Sequence, residues 1–127
     1  LAYLAKCIRT EKLYKIFGFD GKQVRDQIHA HDLANAFYHF IENPKTGEVY
    51  NIGGGPERSV SVLEAIKLIE KETGKKAKYE FHNARPGDRV WDVHDVAKFR
   101  SHYPEWEYKY SLKEIIKDIC SKDYEKI

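Results

Sequence analysis

Gly18-Phe19-Asp20-Gly21-Lys22-Gln23-Val24-Arg25-Asp26-Gln27-Ile28-His29-Ala30-His31-Asp32 is the stretch whose reading decides the fold. Gly18 and Gly21 give the backbone freedom on either side of Phe19-Asp20, the mark of a tight turn. Val24 and Ile28 are the apolar points of a strand-like run. Beyond them Leu33, Ala36, Phe37, Phe40 and Ile41 fall at i, i+3, i+4, i+7 and i+8, the stripe of an amphipathic helix over about Ala30 to Glu42. Arg25 therefore rides on a strand that leads into a packed helix. Such a mounting suits a guanidinium that holds an anion by paired hydrogen bonds.

Outward from this unit, helices and strands alternate irregularly. Leu1, Leu4, Ala5 and Ile8 mark a short helical face, and Leu13 to Phe17 alternates as a strand. Pro44 ends the long helix. Val49 to Ile52 reads as a short, central, buried strand, followed by the Gly53-Gly54-Gly55 loop and Pro56. Ser61 and Glu64 form a capping box for a helix to about Thr73, stopped by Gly74. Ala77 to Phe81 reads as a strand, Asn83 to Asp88 as a loop, and Val96 to His102 as a short helix before Pro104. The last helix, from Ser111, sets Leu112, Ile115, Ile116, Ile119 and Cys120 on one face. The class is α/β or α+β.

Residues 21 to 33, Gly-Lys-Gln-Val-Arg-Asp-x-x-His-x-x-Asp-Leu, resemble a stretch of the extended short-chain dehydrogenase/reductase family, the NAD-dependent nucleotide-sugar epimerases and dehydratases. Val49-Tyr50-Asn51-Ile52-Gly53-Gly54-Gly55 and Arg85-Pro86-Gly87-Asp88 fit the same family in the same order. The resemblance spans roughly residues 1 to 119, and the wording around Arg25 is most similar to the CDP-paratose 2-epimerase (CDP-tyvelose epimerase) branch. It implies an α/β fold made of the substrate-binding portion and the last elements of a Rossmann sheet. Residues 1–127 would be the C-terminal portion of a nucleotide-sugar epimerase, with the N-terminal NAD-binding domain absent. It further implies a nucleotide-diphosphate sugar as partner, NAD as a cofactor bound mainly by the N-terminal half, a homodimer at full length and a cytoplasmic location. The family's glycine-rich cofactor loop and its Tyr-x-x-x-Lys catalytic pair belong upstream and are not found here, so no catalytic residue is assigned. The lack of any Met and the opening on Leu1 within a helix fit a piece of a longer polypeptide.

By resemblance, Arg25 and Arg85 hold the substrate pyrophosphate; on composition alone each reads first as a surface or ion-paired arginine, with Asp26, Asp88 or Asp92 as partner. Pro86 and Gly87 let the loop of Arg85 approach a ligand closely. Asp88 has a place at the substrate site, accepting sugar hydroxyls or orienting Arg85, or else closes its own turn. Asp26, His29 and Asp32 fasten the strand to the start of the helix; His29 as a general base is the sharper alternative. The glycine triplet lacks the Gly-Lys-Ser/Thr ending of a P-loop and the spacing of a dinucleotide fingerprint, and reads as a tight connection.

The totals narrow the function classes. There are 22 basic and 20 acidic residues for a net charge of +2, no platform for nucleic acid. No apolar run approaches the roughly 20 residues of a membrane span. Two cysteines make no disulfide framework, and the six histidines show no metal-ligand spacing. The nine Tyr, six Phe and two Trp fall mostly on apolar positions and read as core. The same two arginines would serve a dehydratase or decarboxylase of the family; a non-catalytic interaction module is the rival from another class. An isolated piece of this kind is expected to expose sheet edges and to associate.

Overall fold

Three of the helices, those starting at Ala30, Val62 and Leu112, begin where side chains tie up free amides. The computed structural model describes residues 1–122. Helix α1 is Ala2–Arg9, α2 is Ala30–Glu42, α3 is Val62–Thr73, α4 is Ala97–His102 and α5 is Leu112–Ser121. At α3, Ser61 Oγ accepts from the Glu64 amide while the Glu64 carboxylate accepts from Ser61 N–H, and Ser111 with Glu114 repeats that box at α5. At α2 the cap is the His29 ring, whose Nδ1 accepts from His31 N–H at 3.0 Å. Gly74, at φ 69°, ends α3 in the left-handed conformation that glycine adopts without strain.

Among the described residues, five strands build two small sheets. Strand β1 (Leu13–Phe17) pairs in parallel with β4 (Lys78–His82), Leu13 opposite Lys78 and Phe17 opposite His82. In the second sheet β2 (Val24–Asp26) is central: antiparallel to β3 (Ser59–Ser61), with Arg25 opposite Val60, and parallel to β5 (Trp91–Asp92), with Arg25 opposite Asp92. The class is α/β.

Two apolar clusters hold these elements. The first joins Leu4, Ala5 and Ile8 of α1, Ile16 of β1, Val60, Ala65, Ile66 and Ile69 around α3, and Ile116 of α5, with Cys120 packed against it. The second joins Ala36 of α2 to Phe99, Tyr103 and Trp106, with Phe40, Tyr50 and Ile52 at its margin. Phe99 meets Trp106 edge-to-face at 5.2 Å between centroids, the geometry aromatic quadrupoles favour.

Val49 to Ile52 is not a strand. Val49 is 79% exposed, and the segment is anchored by side chains instead: Tyr50 lies edge-on to Phe99, and its hydroxyl meets His102 Nδ1 at 2.7 Å. The stripe on α2 also divides. Ala36 is buried and Phe40 packs, whereas Phe37 and Ile41 are exposed. The aromatics split likewise, with Trp106 and Tyr103 in the core but Trp91, Phe81 and Tyr38 open.

Asp32 ties the second cluster to the approach of α5. Its side chain is fully buried, yet Oδ1 accepts from Lys109 N–H at 2.9 Å and Oδ2 from Tyr110 N–H at 3.2 Å, while its own carbonyl accepts from Trp106 Nε1. Asp32→Ala strands two amide donors without changing the backbone. It is expected to lower the unfolding free energy by about 2–4 kcal/mol in urea denaturation. A midpoint indistinguishable from the parent's would show that those amides find other partners.

Candidate functional site

Arg25 and Asp26 are neighbours on β2, so their side chains leave opposite faces of the sheet. Arg25 turns toward the loop after β4. Its Nη2 donates to Asp88 Oδ1 at 2.7 Å and to the Arg89 carbonyl at 2.6 Å, and its Nη1 donates to the Val24 carbonyl at 2.8 Å. Asp88 N–H in turn donates to the Arg85 carbonyl, closing a turn through Gly87 at φ 77°. Asp88 thus closes its own turn and also orients an arginine, and that arginine is Arg25. Both partners of the pair are about one-third exposed (32% and 30%), so it adds only ~0–1 kcal/mol to stability. A phosphate can compete for such a guanidinium.

Arg85 lies with its guanidinium carbon 4.0 Å from the centroid of the Phe17 ring, a cation–π contact that fixes the side chain against β1. Arg85, Asp88, Phe17, Tyr14 and Gln23 line one cavity of about 190 Å³. Arg85 and Asp88 line the cavity, and Arg25 is bonded to Asp88. Gln23 was not singled out by its sequence position. Its Nε2 donates to the Phe17 carbonyl, and its Oε1 is a buried acceptor with no partner among the described residues. The signal that could have found it is its place just ahead of β2, two residues before Arg25.

On the opposite face Asp26 gathers three donors. Oδ2 accepts from Gly55 N–H at 2.9 Å and His94 N–H at 3.1 Å, and Oδ1 meets His94 Nδ1 at 2.9 Å. Asp26 fastens the glycine loop and the segment after β5, not the start of α2. The glycine triplet is a close-packing device: a Cβ on Gly54 would fall on the Gln27 carbonyl oxygen, and one on Gly53 would meet Asp26 and His94. His29 is architectural too. With Nδ1 accepting the cap bond, its Nε2 donates to Asp118 Oδ2 at 3.2 Å, and the ring stacks on Tyr110 at 3.8 Å.

Residues 1–53 match the family model described as the NAD dependent epimerase/dehydratase family. The chain is 39% identical over 102 residues to a UDP-glucose 4-epimerase of Bacillus subtilis, covering 78% of this chain and 29% of that protein. It is 35% identical to a UDP-glucuronate 4-epimerase of Thermodesulfobacterium geofontis, covering 88% of this chain and 33% of that one. Among solved structures, UDP-glucuronic acid 4-epimerase from Bacillus cereus, in complex with UDP-glucuronic acid and NAD, is similar with a TM-score of 0.79 and 32% identity over 91% of this chain and 37% of its own. dTDP-glucose 4,6-dehydratase from Bacillus anthracis, in complex with NAD, has a TM-score of 0.81 and 26% identity over 98% of this chain and 38% of its own. The chain thus spans about three-tenths of the length of the curated relatives it matches. Its α/β fold corresponds to the C-terminal part of such structures.

The electrostatics of Asp26 give a pH dependence. Burial pushes the carboxyl up, but the hydrogen bonds from the His94 ring, His94 N–H and Gly55 N–H together outweigh it and hold the group below its ordinary value of 3.8. A carboxyl depressed in the folded state contributes stability above its unfolded value and loses it as pH falls through the folded one. Stability is therefore expected to drop as pH is lowered below 3.8. Asp26→Asn should flatten that part of the acid limb in thermal melts from pH 6 to about 2; parallel limbs in parent and variant would contradict the assignment.

Proposed function

We propose, from the NAD-dependent epimerase/dehydratase family that these matches support, that this chain is the C-terminal, substrate-binding portion of an NAD-dependent nucleotide-sugar epimerase. The observation that carries the reading is the Arg25–Asp88 contact. It joins β2 to the Arg85-Pro86-Gly87-Asp88 turn, and the same turn brings Arg85 to the cavity beside Phe17. Two guanidiniums around one turn suit the two phosphates of a nucleoside diphosphate, each able to donate paired hydrogen bonds to a phosphate. Arg25 and Arg85 are the pyrophosphate ligands on this reading. Asp88 holds Arg25 and presents its second oxygen to a hydroxyl of the sugar or ribose.

NAD supplies hydride chemistry in the enzymes of this family. The residues here do not form a dinucleotide cradle, because the glycine triplet is packed against Gln27, Asp26 and His94. The cofactor and the Tyr-x-x-x-Lys pair would belong to polypeptide outside this chain, which alone would lack epimerase activity. A homodimer and a cytoplasmic location belong to the full-length enzyme on the same reading. The sequence around Arg25 favours a CDP-sugar 2-epimerase, whereas the Bacillus subtilis and Thermodesulfobacterium geofontis relatives are named for UDP sugars. Likeness to a dTDP-glucose 4,6-dehydratase favours a dehydratase as the second reading, with the same arginines in the same role.

Titration of the chain with UDP, CDP and dTDP, beside Arg25→Ala and Arg85→Ala, tests the proposal and names the base. One nucleotide is expected to bind best, and each variant to lose about 1.5–3 kcal/mol of binding. Far-UV circular dichroism checks that the variants remain folded. Binding that survives both substitutions would refute the assignment and leave the interaction-module reading.

A further inference from the structure

Away from that turn, a second basic feature lies between the glycine loop and α4. The Tyr108 ring is flanked by two guanidiniums, Arg58 at 3.9 Å and Arg100 at 5.2 Å from its centroid. The ring is itself fixed, because its hydroxyl donates to the Gly53 carbonyl. Arg58 is anchored by Nε donating to the Tyr110 carbonyl at 2.7 Å, and its side chain is mostly buried. Its one carboxylate, Glu57, is 3.8 Å away and almost wholly in solvent. Arg100 is exposed and has no carboxylate within ion-pair distance among the described residues. Two like charges are thus held on one ring, with Glu57 and Glu107 as the carboxylates that line the same cavity.

Both arginines line a cavity of about 350 Å³, and Arg100 also lines an adjoining one of about 450 Å³. The two share Pro56, Val96 and Arg100. The second is walled largely by apolar groups and carries Trp91, whose indole is exposed, together with His94 and the carboxylate of Asp95. One compartment therefore offers charge and the next an open aromatic surface. We propose that this groove binds an aromatic phosphate, with the phosphate between Arg58 and Arg100 and the ring of the ligand against Trp91. The guanidiniums stay on Tyr108 by cation–π attraction while their N–H groups face the anion, so binding relieves their mutual repulsion without moving them. Glu57 and Glu107, which line the same cavity, would disfavour ligands of high negative charge and so favour a monophosphate.

Phenyl phosphate, with inorganic phosphate as the ring-free comparison, tests this on the full chain. Phenyl phosphate is expected to saturate at least about tenfold below inorganic phosphate, since the ring adds stacking on the indole. It should change Trp91 emission, a response absent in Trp91→Phe. Arg100→Gln, at an exposed residue in contact with the Tyr108 ring, should weaken binding about tenfold or more, and Arg100→Lys should restore part of it. Arg85→Ala should leave it unchanged. No saturable binding, equal affinity for the two phosphates, indifference to Arg100→Gln, or loss in Arg85→Ala would each overturn the proposal, the last by placing the ligand at the other site.

Discussion

One buried carboxylate holds the site together from behind. Asp26 is on the middle strand of the second sheet, and its three donors come from Gly55 and His94, far apart in the sequence. Holding His94 fixes the end of β5, and Val24 N–H bonds the Val90 carbonyl just ahead of it. That short run is what returns the chain from the Arg85–Asp88 turn to the sheet. The turn can meet Arg25 only because its downstream end is tied. Removing charge or length at Asp26 therefore acts on the opposite face of the strand, where the arginine works.

Strength is distributed unequally across β2. The bonds behind it are multiple and share one buried carboxylate, and two of the three are to backbone, the kind that a protein interior makes costly to lose. The contact in front is an ion pair about one-third exposed, which water and phosphate can replace. A ligand-binding arginine on a rigid strand needs this division: the mount must not yield, and the guanidinium must be free to exchange partners. Arg85 solves the same problem differently, resting on the Phe17 face, which supplies attraction without occupying the N–H groups in a second ion pair.

The helices were legible because their signals are local. Ser61 with Glu64, Gly74, Pro44 and the spacing on α5 each act within one or two turns, and the structure places α2 and α3 where those signals put them. The β1 and β4 strands were legible by alternation and composition. Strands β3 and β5, at three and two residues, are too short to show a period and exist because β2 offers partners on both edges. Val49 to Ile52 misled for the reverse reason: its apolar, β-branched composition reads as a buried strand, but Tyr50 found an aromatic pocket and the backbone found no ladder. At the site, Arg25, Arg85 and Asp88 stood out by their motifs, while the bond between Arg25 and Asp88 bridges two distant segments and no local pattern announces it. Gln23 and His94 act through tertiary partners alone.

The pairing of β1 with β4 also bears on how the chain reaches its fold. Leu13 meets Lys78 only after β2, α2, the glycine loop and α3 have intervened. Closing so long a loop forfeits chain entropy before any ladder bond rewards it. Helix α3, capped at both ends by its own side chains and Gly74, can form early and bring the two strands within reach by docking on α1. Parallel pairing at this separation places the domain among slower folders than a helical bundle of equal size, and β1 must wait with an open edge until residues 78–82 have been made.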